Sequence, residues 1–218
     1  MLLFINKLFK RKSTEKVTPQ EAIQPENKSN IDTGQLLKDS TAFYKEGSIE
    51  KAVQKIDEAI AIYKERGEKS NEFPAVKKKC AYLYKNGKRD EAWGIYNEML
   101  LYYGNPNDLT DIITVPQVYD EMRKQMEFEK NHLSAFEFAL LSRLMKHRSQ
   151  LKQNDYYKDN NFEVDMEWND DNQFIKLANK ANVSWEHIKE LLIDEYKAVN
   201  HNTDFNKLFD KVKNLLAK

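Results

Sequence analysis

The chain has 218 residues, and its 35 basic and 35 acidic side chains give a formal net charge of zero. A neutral chain lacks the overall positive field on which non-specific nucleic-acid binding depends. No apolar run approaches the roughly 20 residues that a membrane-spanning helix needs. The single cysteine, Cys80, excludes an intrachain disulfide framework and favours a reducing compartment, so we expect a cytoplasmic protein.

The first 31 residues are predicted to be a flexible N-terminal segment and linker. Residues 1–12 combine an apolar front with four basic side chains: Lys7, Lys10, Arg11 and Lys12. One interpretation is weak contact with an anionic membrane surface, and the other is a loosely docked end. Residues 13–31 are polar and are interpreted as a linker.

Two stretches that lie 40 residues apart carry the same pattern. Residues 44–60 read YKEGSIEKAVQKIDEAI, and residues 84–100 read YKNGKRDEAWGIYNEML. In both, an amphipathic helix ends before a glycine and a second amphipathic helix follows. Small side chains recur where paired helices would approach closely: Ser40 and Cys80 on the first helices, Ala52 and Ala92 on the second. The sequence therefore predicts two copies of one helical hairpin.

This pattern of small residues, a turn glycine and a helix-facing alanine resembles the tetratricopeptide repeat family over residues 33–103. The family period is about 34 residues, so a 40-residue spacing implies about six more, which we place at residues 66–72. Met99 departs from the pattern, since it stands where a second small residue is usual. The resemblance implies a short solenoid whose first helices line a concave groove.

The rest of the chain is expected to cover the ends of the solenoid, because two repeats bury too little core. Helices at 116–131 and 133–151 are predicted to form a degenerate third hairpin, which completes a region of hairpins over 32–152. An acidic loop at 153–171 and three short helices within 172–218 follow. The predicted fold class is thus all-α, a short helical-hairpin solenoid with a small C-terminal helical cap.

A basic groove lined with tyrosines follows from the resemblance, which places the first helices along the concave face. Its predicted lining is Lys38, Thr41, Tyr44 and Lys45 in the first hairpin, and Lys77, Lys78, Ala81, Tyr84 and Lys85 in the second. Such a groove suits a protein or peptide partner with an acidic or aromatic segment. The plainer interpretation is a set of solvated lysines with two packing tyrosines.

The acidic loop offers an alternative partner surface. It places six carboxylates around a tryptophan: Asp159, Glu163, Asp165, Glu167, Trp168, Asp170 and Asp171. A calcium loop of the EF-hand type needs a central glycine and a glutamate at its twelfth position, and neither is in register. We therefore predict a solvated or partner-binding loop and no metal site.

Residues 172–192 give the alternative function, a DNA-binding regulator. Their stretch LANKANVSWEHIKELL resembles a helix-turn-helix, with Asn182 at the turn where glycine is usual. The second helix would present Trp185 together with Glu186 and Glu190. Because two carboxylates would face the DNA phosphates unfavourably, plain helix packing is the favoured interpretation.

Catalysis has little support in the sequence. The four histidines show no metal-ligand spacing, no glycine-rich phosphate loop is present, and Cys80 is assigned to a packing face. We therefore predict no enzyme activity and no cofactor, and a function as a non-catalytic protein-binding adaptor or scaffold. A dedicated inhibitor of the immunity or antitoxin type belongs to the same class, by analogy of fold alone.

Overall fold

A computed structural model describes residues 31–105, 108–156 and 171–190, and the single positions 207, 210, 211, 214 and 216. Its helices are α1 (Thr33–Lys45), α2 (Ile49–Glu65), α3 (Lys69–Lys85), α4 (Arg89–Tyr102), α5 (Leu109–Phe128), α6 (His132–Tyr156) and α7 (Asp171–Ala181). A further helix begins at Trp185. These described residues contain no strand, which confirms the all-α fold class.

Tight three-residue turns join the first four helices. In each turn a glycine takes a positive φ angle: 80° at Gly47, 69° at Gly67 and 79° at Gly87. The amide after each glycine donates to the carbonyl five positions earlier, over 2.8–2.9 Å. This hydrogen bond satisfies a carbonyl at the helix end that would otherwise lack a donor.

The extra residues of the 40-residue period lengthen helices rather than forming a loop. Residues 66–72, the predicted place of the extra residues, are not an insertion between hairpins, because the α2–α3 turn is as short as the other two and α3 begins at Lys69. Both α2 and α3 have 17 residues. The repeating element is therefore one helix and one turn, with a glycine every 20 residues.

The helices form two layers, and we call α1, α3, α5 and α7 the first helices and α2, α4 and α6 the second helices. Polar contacts join neighbouring first helices: Lys78 to Thr41 at 2.7 Å, Lys77 to Glu121 at 3.2 Å, and Lys180 to Glu127 at 3.7 Å. Aromatic contacts join neighbouring second helices: Lys64 lies over the Tyr102 ring, and the Trp93 ring stacks on Phe138. Consecutive helices thus pack as the hairpins of a short solenoid.

A small helical cap follows the solenoid. Apolar residues of α6 and α7 share one buried cluster with the helix that begins at Trp185 and with Leu216. On α7 the cluster takes Phe174, Leu177 and Ala178, which recur at helical spacing. The described C-terminal residues therefore cover a side of α6 that would otherwise face solvent.

The third hairpin begins earlier than predicted. Its first helix starts at Leu109, seven residues before Pro116, and the Asp108 side chain caps it by accepting from the amides of Thr110 and Asp111. Proline is favoured at helix starts, so Pro116 suggested a beginning where the structure has a helix interior.

The second helix of the third hairpin also exceeds its predicted bounds. The Asn131 side chain, rather than that of Ser134, caps its start by accepting from the Ser134 amide at 3.2 Å. The helix continues to Tyr156, so residues 153–156 are helical and do not belong to the acidic loop. Neither glycine nor proline stands there to end it.

Ala52 and Ala92 mark the closest helix packing, since both are 0% exposed. We expect Ala52→Leu or Ala92→Leu to destabilise the protein by about 1–3 kcal/mol, because the added carbons overpack a filled interior. Urea unfolding measures this cost. The control is Ala61→Leu on the exposed face of α2, which should change stability by less than about 0.5 kcal/mol. Buried-site variants as stable as the control would show that the helix register is wrong.

Candidate functional site

Three predicted groove residues hold α1 against α3. The Lys78 ammonium donates to the Leu37 carbonyl and to the Thr41 hydroxyl, each over 2.7 Å. The Tyr44 ring stacks on Tyr82, with 3.8 Å between ring centroids and 13° between planes. Burial lowers the pKa of Lys78. These side chains therefore make contacts within the protein, and Tyr44 offers at most one ring face to a partner.

Tyr84 lies in the interior, between α3 and the end of α5. It is 3% exposed, and its hydroxyl donates to the Glu129 carboxylate. The Arg89 guanidinium covers its ring at 5.6 Å, and the Phe128 ring meets it edge-on. Burial, together with the bond to Glu129, raises the pKa of Tyr84. The prediction of an exposed Tyr84 platform is wrong.

The remaining predicted groove residues point outwards or towards α5. Lys38, Lys45 and Lys85 are exposed and form no ion pair within the described residues. Ala81 is half-buried. Lys77 reaches α5, where its ammonium lies 3.2 Å from Glu121, and it borders a cleft that the sequence did not predict. Four of the predicted lysines thus remain accessible.

This cleft, with a volume of about 590 Å³, lies along α5 and α6 and is bounded by Lys77 of α3 and Phe174 of α7. Its charged lining consists of Lys77, Arg123, Lys124, Arg143 and Lys146, with Asp120 and Glu121. Its neutral polar lining consists of Gln117, Gln150, Gln153, Gln173, Ser142 and Ser149. The volume falls in the usual range of ligand sites.

Pro116 and the small residues opposite it lie where α5 and α6 pack closely beside the cleft. Pro116 lies within α5 and has no N–H to donate to the Ile112 carbonyl, so the helix ladder is interrupted at the cleft wall. On α6, the Ser142 hydroxyl donates to the Pro116 carbonyl at 2.8 Å. Ala139, one turn from Ser142, adds little bulk. The sequence thus combines a proline with small partners where the cleft forms.

The two cleft carboxylates are already paired. Asp120 accepts from Arg123 at 2.9 Å and from Lys124 at 2.8 Å, and Glu121 accepts from Lys124 at 2.8 Å. Burial opposes ionisation of Asp120, but the bonds from Lys124 and Arg123 outweigh it and lower its pKa. Both carboxylates therefore neutralise the basic groups of α5. Lys146 of α6 is exposed and has no ion pair within the described residues.

Gln150 lines the cleft and holds an unused hydrogen-bond acceptor beside it. Its side-chain oxygen is buried and has no donor among the described residues. The neighbouring glutamines differ, since Gln153 donates to the Ser149 hydroxyl at 2.8 Å and Gln117 to the Ile113 carbonyl at 3.2 Å. A buried acceptor without a donor costs about 1–3 kcal/mol, so rotation of the Gln150 amide towards a ligand N–H in the cleft would be favourable. Nothing in the sequence distinguished Gln150 from a solvated glutamine.

The segment that resembles a helix-turn-helix packs against α6. Its turn has Asn182 at a φ angle of 58°, and the next helix begins at Trp185. The Trp185 ring is 3% exposed and stacks on Phe174 with 5.0 Å between centroids. Trp185 therefore packs inside the protein, as the favoured interpretation of plain helix packing expects, and is not available to the DNA-reading alternative. Glu186 and Glu190 remain exposed.

Other predicted surfaces lie outside the described residues. These are the basic N-terminal segment, with Lys7, Lys10, Arg11 and Lys12, and the acidic residues Asp159, Glu163, Asp165, Glu167 and Asp170 with Trp168. Asp171 is the first residue of α7. In the described part of the chain, no group of acidic, histidine or cysteine side chains could hold a metal ion, and no helix is long and apolar enough to cross a membrane.

Cys80 belongs to the interior rather than to the cleft. It is 0% exposed, and its sulfur lies 3.9 Å from the Ala92 carbonyl oxygen. Burial raises the pKa of the thiol to about 12, which keeps it protonated and unreactive. It therefore fills the packing position that the sequence assigned to it.

No protein-family model matches this chain, and comparison with curated proteins and with solved structures gives no match. The class is therefore defined by the fold and the site themselves. It is an all-α protein of helical hairpins in two layers, with a basic, amide-lined cleft at its third hairpin.

Proposed function

We propose that this chain is a non-catalytic protein-binding adaptor or scaffold of the tetratricopeptide-repeat type, acting in the cytoplasm. The supporting observation is the cleft, where five basic side chains, two carboxylates and four glutamines face a single volume of about 590 Å³, which leaves a net positive lining. Basic groups attract acidic side chains, and glutamine amides can both donate to and accept from a peptide main chain. A protein partner with an acidic segment offers both kinds of group.

The chemistry of the cleft favours binding over catalysis. A general base needs a carboxylate that is available to a substrate proton, whereas Asp120 and Glu121 are held by Arg123 and Lys124. The groups left to a ligand, among them Lys146 and Gln150, can bind and orient it through charge and hydrogen bonds. Inhibition of a toxin by an immunity or antitoxin protein would use the same chemistry, with the toxin as the partner.

DNA binding by residues 172–192 has weaker support. After the Asn182 turn, the exposed face carries Glu186 and Glu190, and neither favours contact with phosphates. Trp185 is part of the packing against α6. A labelled DNA duplex titrated at low and high salt tests this alternative, which would require binding that weakens steeply with salt.

The proposed function is tested by affinity capture from cell extract, followed by calorimetry with the purified partner. We expect Lys146→Glu to weaken binding at least tenfold, because it reverses an accessible charge at the cleft. Lys45→Glu/Lys85→Glu tests the surface of α1 and α3 in the same way, and Lys88→Glu in the α3–α4 turn is the control. If all folded variants bind the partner with equal affinity, neither the cleft nor the surface of α1 and α3 is its binding site.

A further inference from the structure

We infer that the cleft binds five or six residues of an extended acidic peptide and that α6 recognises its main chain through Gln150. This inference rests on the proposed function and names the ligand of the same site. Binding of this ligand depends on Lys146 and Gln150, which lie on α6, the second helix of its hairpin. They therefore lie outside the groove of first helices that the resemblance implied.

The length and the polar lining of the cleft favour an extended chain. Its lining runs along α6 from Ala139 to Gln153, which spans about 20 Å at 1.5 Å per residue. An α-helix satisfies its own main-chain groups, whereas an extended chain leaves its N–H and C=O groups free for the amide and hydroxyl side chains that line the cleft. An extended strand advances about 3.3 Å per residue, so about six residues fill the length.

The polar groups of α6 determine which part of the peptide is recognised. An extended main chain presents N–H groups that must find acceptors when they leave water. Gln150 lines the cleft, and its buried oxygen has no donor among the described residues, so rotation of the side-chain amide towards the cleft lets a peptide N–H satisfy both groups at once. This contact is independent of the peptide side chain and selects for an available main-chain N–H.

Charge determines which side chains the peptide carries. Lys146 lies one helical turn from Gln150 on the same face of α6, and its ammonium forms no ion pair within the described residues. Side chains of an extended peptide alternate between two faces, so every second residue faces α6. An aspartate or glutamate at that position therefore meets Lys146 while a neighbouring N–H meets Gln150.

The test begins with hexapeptides, random at all six positions, displayed on phage and selected against the full chain. We expect selected peptides to be rich in Asp and Glu, and fluorescence polarisation of synthetic copies to measure their affinity. Lys146→Glu should weaken binding at least tenfold, and Gln150→Leu about tenfold. The matched controls outside the cleft, Lys88→Glu and Gln54→Leu, should leave affinity unchanged.

Two further measurements separate recognition from a structural effect. Gln150→Leu should leave the midpoint of thermal unfolding unchanged or raise it, because it removes a buried acceptor that has no donor. Methylating the peptide main-chain nitrogens one at a time should weaken binding about tenfold at one or two positions. Affinity that is indifferent to N-methylation and to Gln150→Leu, but lost in Lys146→Glu, would overturn main-chain recognition and keep the cleft. If no cleft variant changes the affinity for the peptides, the cleft is not their binding site and the proposed site is overturned.

Discussion

Replacing Lys69 with methionine is expected to lower the free energy of unfolding by about 3–5 kcal/mol. The Lys69 ammonium lies 2.9 Å from Asp108 and 3.0 Å from Asp111, and the Asp111 side chain is 1% exposed. Methionine keeps much of the apolar stem but removes the charge. Asp111 would then remain a buried carboxylate without its cation, with the Asn105 amide at 3.2 Å as its remaining donor among the described residues.

A double-mutant cycle with Asp111→Asn isolates this charge interaction. Asparagine keeps the shape of the side chain but carries no charge, so Lys69→Met should cost much less in that background. Urea unfolding of the four proteins gives the coupling energy. An equal cost for Lys69→Met in both backgrounds would contradict the ionic explanation and point to lost packing of the lysine stem.

The same network predicts how stability depends on pH. The bond from Lys69 lowers the pKa of Asp108 below its usual 3.8, so this contribution is present above that value and is lost as the pH falls through the lowered pKa. The bonds to Asp108 and Asp111 raise the pKa of Lys69 above 10.5, so its contribution is complete below 10.5 and is lost at more alkaline pH. The stability difference between wild type and Lys69→Met should therefore be constant between about pH 5 and 9 and smaller on both sides.

The Lys69 network is one of three polar contacts that set α5 beside α3. Lys69 meets Asp111 at the start of both helices, Lys77 meets Glu121 in the middle, and Tyr84 meets Glu129 at the end. In each contact the residue on the α5 side follows its α3 partner by 42 to 45 positions in the sequence. This nearly constant offset requires the two helices to run parallel. Because Lys77 borders the cleft and α5 forms its wall, these contacts also fix the width of the site.

Local patterns were sufficient to predict the hairpins. Gly47 and Gly87 with the apolar spacing around them gave the helix ends, because a helix terminus depends on residues within one turn. Gly67 completes a 20-residue spacing that was visible in the sequence. The family period of about 34 residues gives this glycine no role, because it treats residues 66–72 as extra residues. Pro116 was misinterpreted for a related reason, since packing against α6 overrode a local signal for a helix start.

The cleft could not be predicted from local patterns. Its walls come from α3, α5, α6 and α7, and each contributing stretch alone looks like a solvated helix face. The position of Tyr84 depends on Glu129, 45 residues away, so a groove inferred from the repeat alone counted it as exposed. Gln150 became informative only when its burial and its missing donor were known.

Trp185→Ala is expected to destabilise the C-terminal cap by about 3–5 kcal/mol, because it empties a buried aromatic position. The Trp185 ring stacks on Phe174 at 5.0 Å and meets Phe136 edge-on at 6.1 Å, which joins the cap to α6. Chemical unfolding followed by circular dichroism measures the loss. The neighbouring Glu186→Ala, on the exposed side, is the control and should stay within about 0.5 kcal/mol of wild type.

This substitution also tests whether the cap supports the cleft. Phe174 lines the cleft and its ring stacks on Trp185, so the loss of Trp185 should loosen that wall. We therefore expect Trp185→Ala to weaken binding of the selected hexapeptides at temperatures where the variant is still folded, while Glu186→Ala leaves it intact. Unchanged stability in Trp185→Ala would contradict the packing of the cap on α6. Lost stability with unchanged binding would show that the cleft needs only α3, α5 and α6.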